Sequence, residues 1–475
     1  MKGFTARGTW WLPEDDTTRV PGELRLSSEE FSLTLEGTLL HPPAPVPEMT
    51  FSTFFESVSR PVVLGRTSAW DRTTLLDCEG QIPVLPGEVK STTWIPTAAL
   101  QGIHLQTADE AAFDIVQLQH AHLHEWAGGG GVEHTIATEE GSSRVRRVEL
   151  AAERAVLASF EVDDARVELI SSPAFSASSL EASVAMGTVW RVEPRAALTW
   201  REMFNRWVVP LRDLVSFVAL KPSDIDEVRV HVASGDEHAW AILLLRLLEL
   251  DREKLPRRLI ASEMLFTSTK LPNGLEDGVA RWLTLRNRYS TVIALLLGVD
   301  AAPFMFDDQK FLSLTQAAEI LHVIRIGSTP LPRPEHRRKV KDAVSGITDP
   351  RLARWAREIL GGSNWYKLRD RLDQLIDALG GLGPELVGGD ADQFVGRIVD
   401  TRNYLTHRVE RRGEVLEGER RYWHWQALAW LVRTHLLLEL GYTLEETASL
   451  VQQNQVFQQY RAGFAKAEAA QGTGG

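Results

Sequence analysis

The chain has 475 residues, 44% hydrophobic and 24% charged, with a single cysteine. That composition excludes a wholly disordered chain and a disulfide framework, and the length prior is about three domains. With 52 Lys and Arg against 64 Asp and Glu, the net charge of −12 argues against nucleic acid as a partner of the surface as a whole.

The distribution of charge argues differently. Residues 325–433 hold 20 basic and 15 acidic side chains. A locally basic C-terminal part can attract a phosphate chain, with a solvated helical surface as the equal alternative. Cys78 without a partner points to a reducing, cytoplasmic setting. Met1–Arg7 carries no secretory pattern, and apolar runs such as Val292–Val299 fall short of the ~18 residues of a membrane span.

In chain order, the first ~190 residues read as strands and turns. Alternating runs at Gly3–Leu12, Gly22–Leu26, Phe31–Leu39, Arg144–Leu150, Arg166–Ile170 and Val184–Val192 are separated by turn clusters. This pattern predicts antiparallel sheets in a sandwich or barrel, with Trp10, Trp11, Phe31, Phe54, Phe55 and Trp70 filling the core. The period changes near Leu198. Thr199–Leu220 reads as a helix kinked or ended at Pro210, and a short strand follows at Glu227–Ala233. Helices are expected at Ala239–Leu250, Glu276–Leu297, Gln309–Ile326, Pro334–Val344, Pro350–Leu360, Trp365–Leu379, Asp392–Val409, Arg420–Leu440 and Leu444–Ala465, the last with a capping box at Thr443 and Glu446. The fold class is therefore α+β and multidomain: a β-rich sandwich or barrel-like module over 1–195, a helical connector over 196–305, and an all-α bundle over 306–475.

Several familiar chemistries are missing. Gly128–Gly131 lacks the Lys and Ser/Thr of a P-loop, and there is no nucleophile elbow or zinc-protease helix. His120, His122 and His124 alternate, so on one strand face they can converge on a metal; a solvated polar face is the alternative, and spacing alone supports the metal.

The segment Asp400-Thr401-Arg402-Asn403-Tyr404-Leu405-Thr406-His407-Arg408 carries Arg-x4-His. With 42 Arg and 13 His, chance supplies about one such pair, and one is found, so its support comes from context. It lies in a predicted helix with an apolar stripe of Phe394, Ile398 and Leu405. Asn403 and His407 stack four apart, so the amide can orient the imidazole. Arg402 and His407 are five apart, about 140° around the helix axis. They can face one cleft if the helix starts near Arg402 or if a second subunit closes the site. Chemically the set suits RNA cleavage. A histidine can move the proton of a ribose 2′-hydroxyl, and the arginine fork matches the phosphate oxygens.

With Asn after the Arg, late in an all-α module, Arg402-Asn403-x-x-x-His407 resembles the HEPN ribonuclease superfamily. More narrowly, Asp400–Arg408 is similar to the ApeA-like HEPN domain of bacterial anti-phage proteins. Phe311-Leu-Ser-Leu-Thr-Gln-Ala-Ala-Glu-Ile-Leu-His322 resembles its early helix, and Gly8–Pro13, Pro21–Leu24 and Leu33–Gly37 resemble the ApeA N-terminal domain. Residues 235–305 carry no matching motif. The resemblance implies a toxic, abortive-infection-type endoribonuclease, quiet until infection, that needs no metal or other cofactor and leaves a 2′,3′-cyclic phosphate. It implies a homodimer through the HEPN domain, with RNA as partner (tRNA or another structured RNA), and a phage-derived activator at the N-terminal module.

Carried over residue by residue, Arg402 would polarise the scissile phosphate, His407 would act as general acid/base, and Asn403 would orient the histidine or the phosphate. Glu319 would hold Arg402, with an ordinary surface carboxylate as the alternative. Arg408, Arg411 and Arg412, with Arg420 and Arg421, would hold the RNA backbone, unless the interleaved glutamates pair with them. Tyr404 and Trp423 would stack on bases, against a packing role. Two rival readings stand beside this one. One is a non-catalytic HEPN-type binding or dimerisation protein whose β-module recognises a phage or host partner. The other is a carbohydrate- or metal-binding β-sandwich using His120, His122 and His124.

Overall fold

The structure, a computed structural model, describes residues 4–27, 30–40, 55–83, 91–139, 144–178, 181–234, 237–246, 258–302, 304–407 and 413–472. The chain forms two compact units. The first comprises residues within 1–219, 223–261 and 266–280, and the second residues within 220–222, 262–265 and 281–475. Residues of the 196–305 segment are shared between them.

The first unit is built on antiparallel strands. β1 (Phe4–Leu12), β2 (Asp15–Leu26), β3 (Phe31–Leu35), β4 (Phe55–Thr67), β5 (Thr73–Pro83) and β6 (Thr92–Ile95) lie in the order β5-β4-β1-β2-β3-β6. β6 also pairs with β5, at Glu79–Ile95, Gly80–Trp94 and Gln81–Thr93, which closes the ring. Period-two alternation explains the inside: Val20, Leu24 and Leu26 of β2 are buried while their neighbours turn outward.

Two cross-strand pairs fill the barrel. The Trp10 ring lies over Gly65, and the Trp94 ring over Gly80. A Cβ on Gly65 would sit 2.2 Å from Trp10, and one on Gly80 2.7 Å from Trp94. Only a residue without a side chain leaves room for each indole. Gly65→Ala is expected to cost about 1–3 kcal/mol through overpacking, read as a lowered Tm of the first unit. An unchanged Tm would mean that Trp10 relocates freely.

From β5 the sheet continues through β7 (Ala98–Gln101), β8 (Phe113–His120), β11 (Ala155–Val162), β12 (Ala165–Ala177), β13 (Ala182–Pro194), β14 (Ile225–Ser234) and β15 (Glu237–Leu245), in the order β7-β15-β14-β8-β13-β12-β11. β9 (Glu133–Thr138) and β10 (Val145–Ala151) form a separate exposed hairpin. Trp10, Trp11 and Phe31 are in the core as expected, Trp70 is half-buried, Phe54 lies outside the described residues, and nothing is described of the Phe55 side chain.

Two expectations for this unit are corrected. Ala239–Leu250 reads as a helix, but Glu237–Leu245 is strand β15, paired with β14 and β7. Its consecutive Leu243, Leu244 and Leu245 are all buried, and such a run has no period-two signature. The three alternating histidines do not share a strand face. β8 ends at His120, and His122 is in the left-handed region (φ 63°) as the N-cap of α1 (Leu123–Ala127). His120 is buried with its Nδ1 2.7 Å from Ser223 Oγ, whereas His124 Nδ1 is 2.8 Å from Thr188 Oγ1. Burial pushes the His120 pKa down to about 3. Among the described residues no group of three or more His, Cys, Asp or Glu is placed to hold a metal.

The helical run after β13 begins with α2 (Trp200–Met203), capped by Thr199 and Glu202. A π-helical turn over Phe204–Val208 leads without a break into α3 (Val209–Ala219), so Pro210 does not end the helix; the wider turn stands just before the proline, whose missing N–H interrupts the regular ladder. α4 (Leu275–Arg288) follows.

The second unit packs α5 (Ser290–Ala301), α6 (Asp307–Arg325), α7 (Arg333–Ser345), α8 (Pro350–Gly361), α9 (Leu368–Asp377), α10 (Leu382–Leu386), α11 (Ala391–His407), α12 (Gly418–Leu440), α13 (Leu444–Gln453) and α14 (Gln455–Gly472). α12 is its axis, apolar on every side from Ala427 to Val432, as a helix surrounded by others must be. Two expected long helices are each broken in two. One breaks at Tyr289. The other breaks at Asn454, whose Oδ1 accepts from the backbone N–H of Val456 and Phe457 and so caps α14. The capping box at Thr443 and Glu446 is present. No helix among the described residues is long and apolar enough to cross a membrane.

Two buried polar side chains of α12 meet partners from neighbouring helices. Arg433 reaches Asp300 at 2.5 Å, with side chains 5% and 12% exposed. His435 Nε2–H donates to Leu375 O at 2.9 Å, and its Nδ1 faces the Arg325 guanidinium. Burial and that guanidinium hold the His435 pKa down at about 3.

Candidate functional site

Arg402 and Glu319 meet at a cleft of about 540 Å³ formed by α6, α9 and α11. α6 presents Thr315, Gln316 and Glu319 to it, α9 presents Arg371, and α11 presents Arg402 and Thr406. The apolar residues of α11, Phe394, Val395 and Ile398, are buried in the bundle, which turns Arg402 toward α6. Glu319 is shared. Its Oε1 lies 3.8 Å from Arg402 and its Oε2 3.7 Å from Arg371. Arg371 is fixed further by donating to the backbone carbonyls of Tyr366 (3.1 Å) and Glu319 (3.4 Å). Two guanidiniums on one carboxylate leave a local positive charge at an open cleft whose other walls include Leu312, Ile320 and Val323, the kind of charge that receives an anion.

Asn403 Oδ1 accepts from Arg402 at 3.4 Å, so its amide is turned to the arginine. Thr406 Oγ1 donates back to Arg402 O at 2.7 Å. Tyr404 is half-buried. His407 is the exposed last residue of α11 and does not line the Arg402 cleft. The helix starts at Ala391, well before Arg402, so a late helix start does not bring the two side chains to one face.

The segment after the motif is fastened back to it. Asp400 Oδ2 accepts from Glu414 N at 3.2 Å, and Thr401 Oγ1 from Leu416 N at 2.9 Å. Gly413 has φ +77° and packs against Asp400 so closely that a Cβ would meet the carboxylate. Arg408, Arg411 and Arg412 lie outside the described residues. Arg420 pairs with Glu414 (2.6 Å) and Glu468 (3.4 Å), and Arg421 with Asp308 (2.7 Å). Trp423 packs on Gly463 and donates to Glu419. His322 is buried, donating from Nε2 to Gln374 at 3.0 Å with Tyr366 edge-on, and burial lowers its pKa. Arg371 was invisible to sequence reasoning, because an arginine on the polar side of a helix carries no signal of the carboxylate it meets.

Residues 5–282 match the family model described as ApeA N-terminal domain 1, and residues 312–446 the one described as Apea-like HEPN. The chain belongs to the ApeA-like HEPN proteins. No curated protein and no solved structure matches it. The Apea-like HEPN match runs from Leu312 in α6 to Glu446 in α13 and so contains the whole cleft. The ApeA N-terminal match covers the barrel and the sheet that extends it. As an ApeA-like HEPN protein the chain is of the defence class. HEPN domains are generally ribonucleases and typically dimerise.

Proposed function

We propose that this protein is an endoribonuclease of anti-phage defence that cleaves RNA by attack of the ribose 2′-hydroxyl on the adjacent phosphate. The observation that carries the proposal is the arginine pair on Glu319, at an open cleft inside the matched HEPN region. Arg402 binds the scissile phosphate and stabilises the charge that grows on its oxygens. Glu319 and Arg371 are positioning residues, since they hold the Arg402 fork. Asn403 steadies Arg402 from the side. His407 takes the 2′-hydroxyl proton or gives one to the leaving 5′-oxygen, leaving a 2′,3′-cyclic phosphate and a 5′-hydroxyl. No metal takes part in these steps. The separation of Arg402 and His407 within one protomer favours a homodimer in which α11 of each copy completes the other's site. The N-terminal module serves as the regulator that releases the activity on infection.

The test is an expression experiment in a bacterial host, with and without phage, comparing wild type, Arg402→Ala and His407→Ala, with total RNA end-mapped from the same cultures. Wild type alone should arrest growth or protect, with new 2′,3′-cyclic phosphate ends that also form in the presence of a chelator in lysate. Identical behaviour of all three proteins would remove both residues from the mechanism and leave the binding and dimerisation reading.

A further inference from the structure

The local excess of positive charge is concentrated in one place. Residues 333–357, spanning α7 and most of α8, contain eight Lys and Arg against three Asp and Glu. Elsewhere in the bundle the described arginines near the cleft are engaged: Arg371, Arg397, Arg402, Arg420, Arg421 and Arg433 each face a carboxylate. The eight cations of α7 and α8 are exposed and, among the described residues, none is in an ion pair. Glu335, Asp342 and Glu358 stand on the same helices, yet among the described residues none of them is ion-paired with these cations.

They also line a cavity. Arg333, Arg337 and Lys341 follow one another at four-residue intervals along one side of α7, about 6 Å apart along the axis. Arg357 of α8 faces them across a cleft of about 560 Å³, with His336 between and the Trp365 indole, 59% exposed, at its edge. The floor is built: Asn364 is buried and bonds the backbone of Leu331 through both its amide atoms, at 3.2 and 2.8 Å. Two residues on, Tyr366 donates its N–H to Ser328 O, and its carbonyl accepts from Arg371, which lines the Arg402 cleft. The Tyr366 backbone thus bonds one lining residue of each cleft, Ser328 and Arg371.

We propose that the α7–α8 cleft is a second RNA-binding site, which tracks the phosphates of a single-stranded stretch and stacks an unpaired base on Trp365. The proposal rests on RNA being the substrate of the Arg402 cleft. A row of unpaired cations spaced on the scale of successive phosphates provides the electrostatic part, and an exposed indole provides a sequence-tolerant stacking platform. Such a site sets which RNA is presented to the cleavage cleft and adds affinity without touching the reacting atoms.

The test measures binding of the full chain to a labelled, mixed-sequence single-stranded RNA across a salt series, in a His407→Ala background that keeps the probe whole. Arg333→Ala with Arg337→Ala and Lys341→Ala should lower the slope of log affinity against log salt by about 2, at about 0.7 per phosphate contact. Trp365→Ala should weaken binding about ten-fold or more with the slope retained. Arg333→Lys with Arg337→Lys should preserve binding, because phosphate contacts need charge and not a fork. Unchanged affinity and slope in the triple variant, or no RNA binding by the parent, overturns the proposal. So does loss of self-association in place of RNA binding, which would make α8, with its exposed Leu352, Trp355 and Ile359, a protein-docking face. Slope loss in a protein whose wild type never yields new RNA ends upholds this site and sinks the cleavage reading; the converse result sinks only this site.

Discussion

Mixing Arg402→Ala chains with His407→Ala chains is expected to regain RNA cleavage that neither variant shows alone. Each single variant should lose about 10²-fold or more in rate, since one removes the phosphate-stabilising charge and the other the proton-transfer group. In one protomer Arg402 turns to Glu319 while His407 ends α11 in solvent, about 140° round the helix. If a site takes its arginine from one copy and its histidine from the partner, a mixed dimer holds one site with both groups and one with neither. Random pairing makes half the dimers mixed, so the mixture should reach about a quarter of wild-type activity. Mixed dimers isolated with two different tags and found inactive would show that the residues act within one chain or not at all. Arg402→Lys should behave like Arg402→Ala in this assay, because an ammonium cannot span two phosphate oxygens while also reaching Glu319.

Asp300→Ala is expected to destabilise the helical unit by about 3–5 kcal/mol, read as a fall in its unfolding midpoint. The substitution leaves Arg433 nearly fully buried, with the Asp300 carboxylate removed. The pair itself contributes less than that figure suggests. Burial outweighs the Arg433 guanidinium and holds the Asp300 carboxyl above its usual range, so the ionised form is disfavoured in the fold. Replacing both partners with apolar residues, Asp300→Leu with Arg433→Met, should therefore restore most of the lost stability. A double variant as unstable as Asp300→Ala would show that the pair serves some need beyond mutual neutralisation.

Much of the architecture was legible because its signals are local. Period-two runs mark β1, β2 and β3, and helical spacing with caps marks α6, α11 and α12. The Thr443–Glu446 box is a four-residue signal that acts where it stands. Where local signals conflict or fall silent, the reading failed. β15 carries an apolar run compatible with either period, and its identity as a strand comes from β7 and β14 on either side. The breaks at Tyr289 and Asn454 occur in sequence that propensity alone would continue. The three histidines satisfy an alternation rule that holds only while the strand lasts, and β8 stops at His120.

The candidate site divides along the same line. Residue order alone determined that Arg402, Asn403 and His407 lie on one helix near a basic stretch, and that the chain pairs a β-rich half with a helical one, since composition and period are properties of the chain itself. Which partners meet was decided by tertiary structure. Glu319 faces Arg402 because α6 and α11 pack side by side. Arg371 joins them from α9, and the cations of α7 and α8 are in no ion pair among the described residues. Spacing along a chain fixes which groups share a helix, but charge neutralisation acts through space, and only the packed bundle says which charges are spent and which are left to meet a ligand.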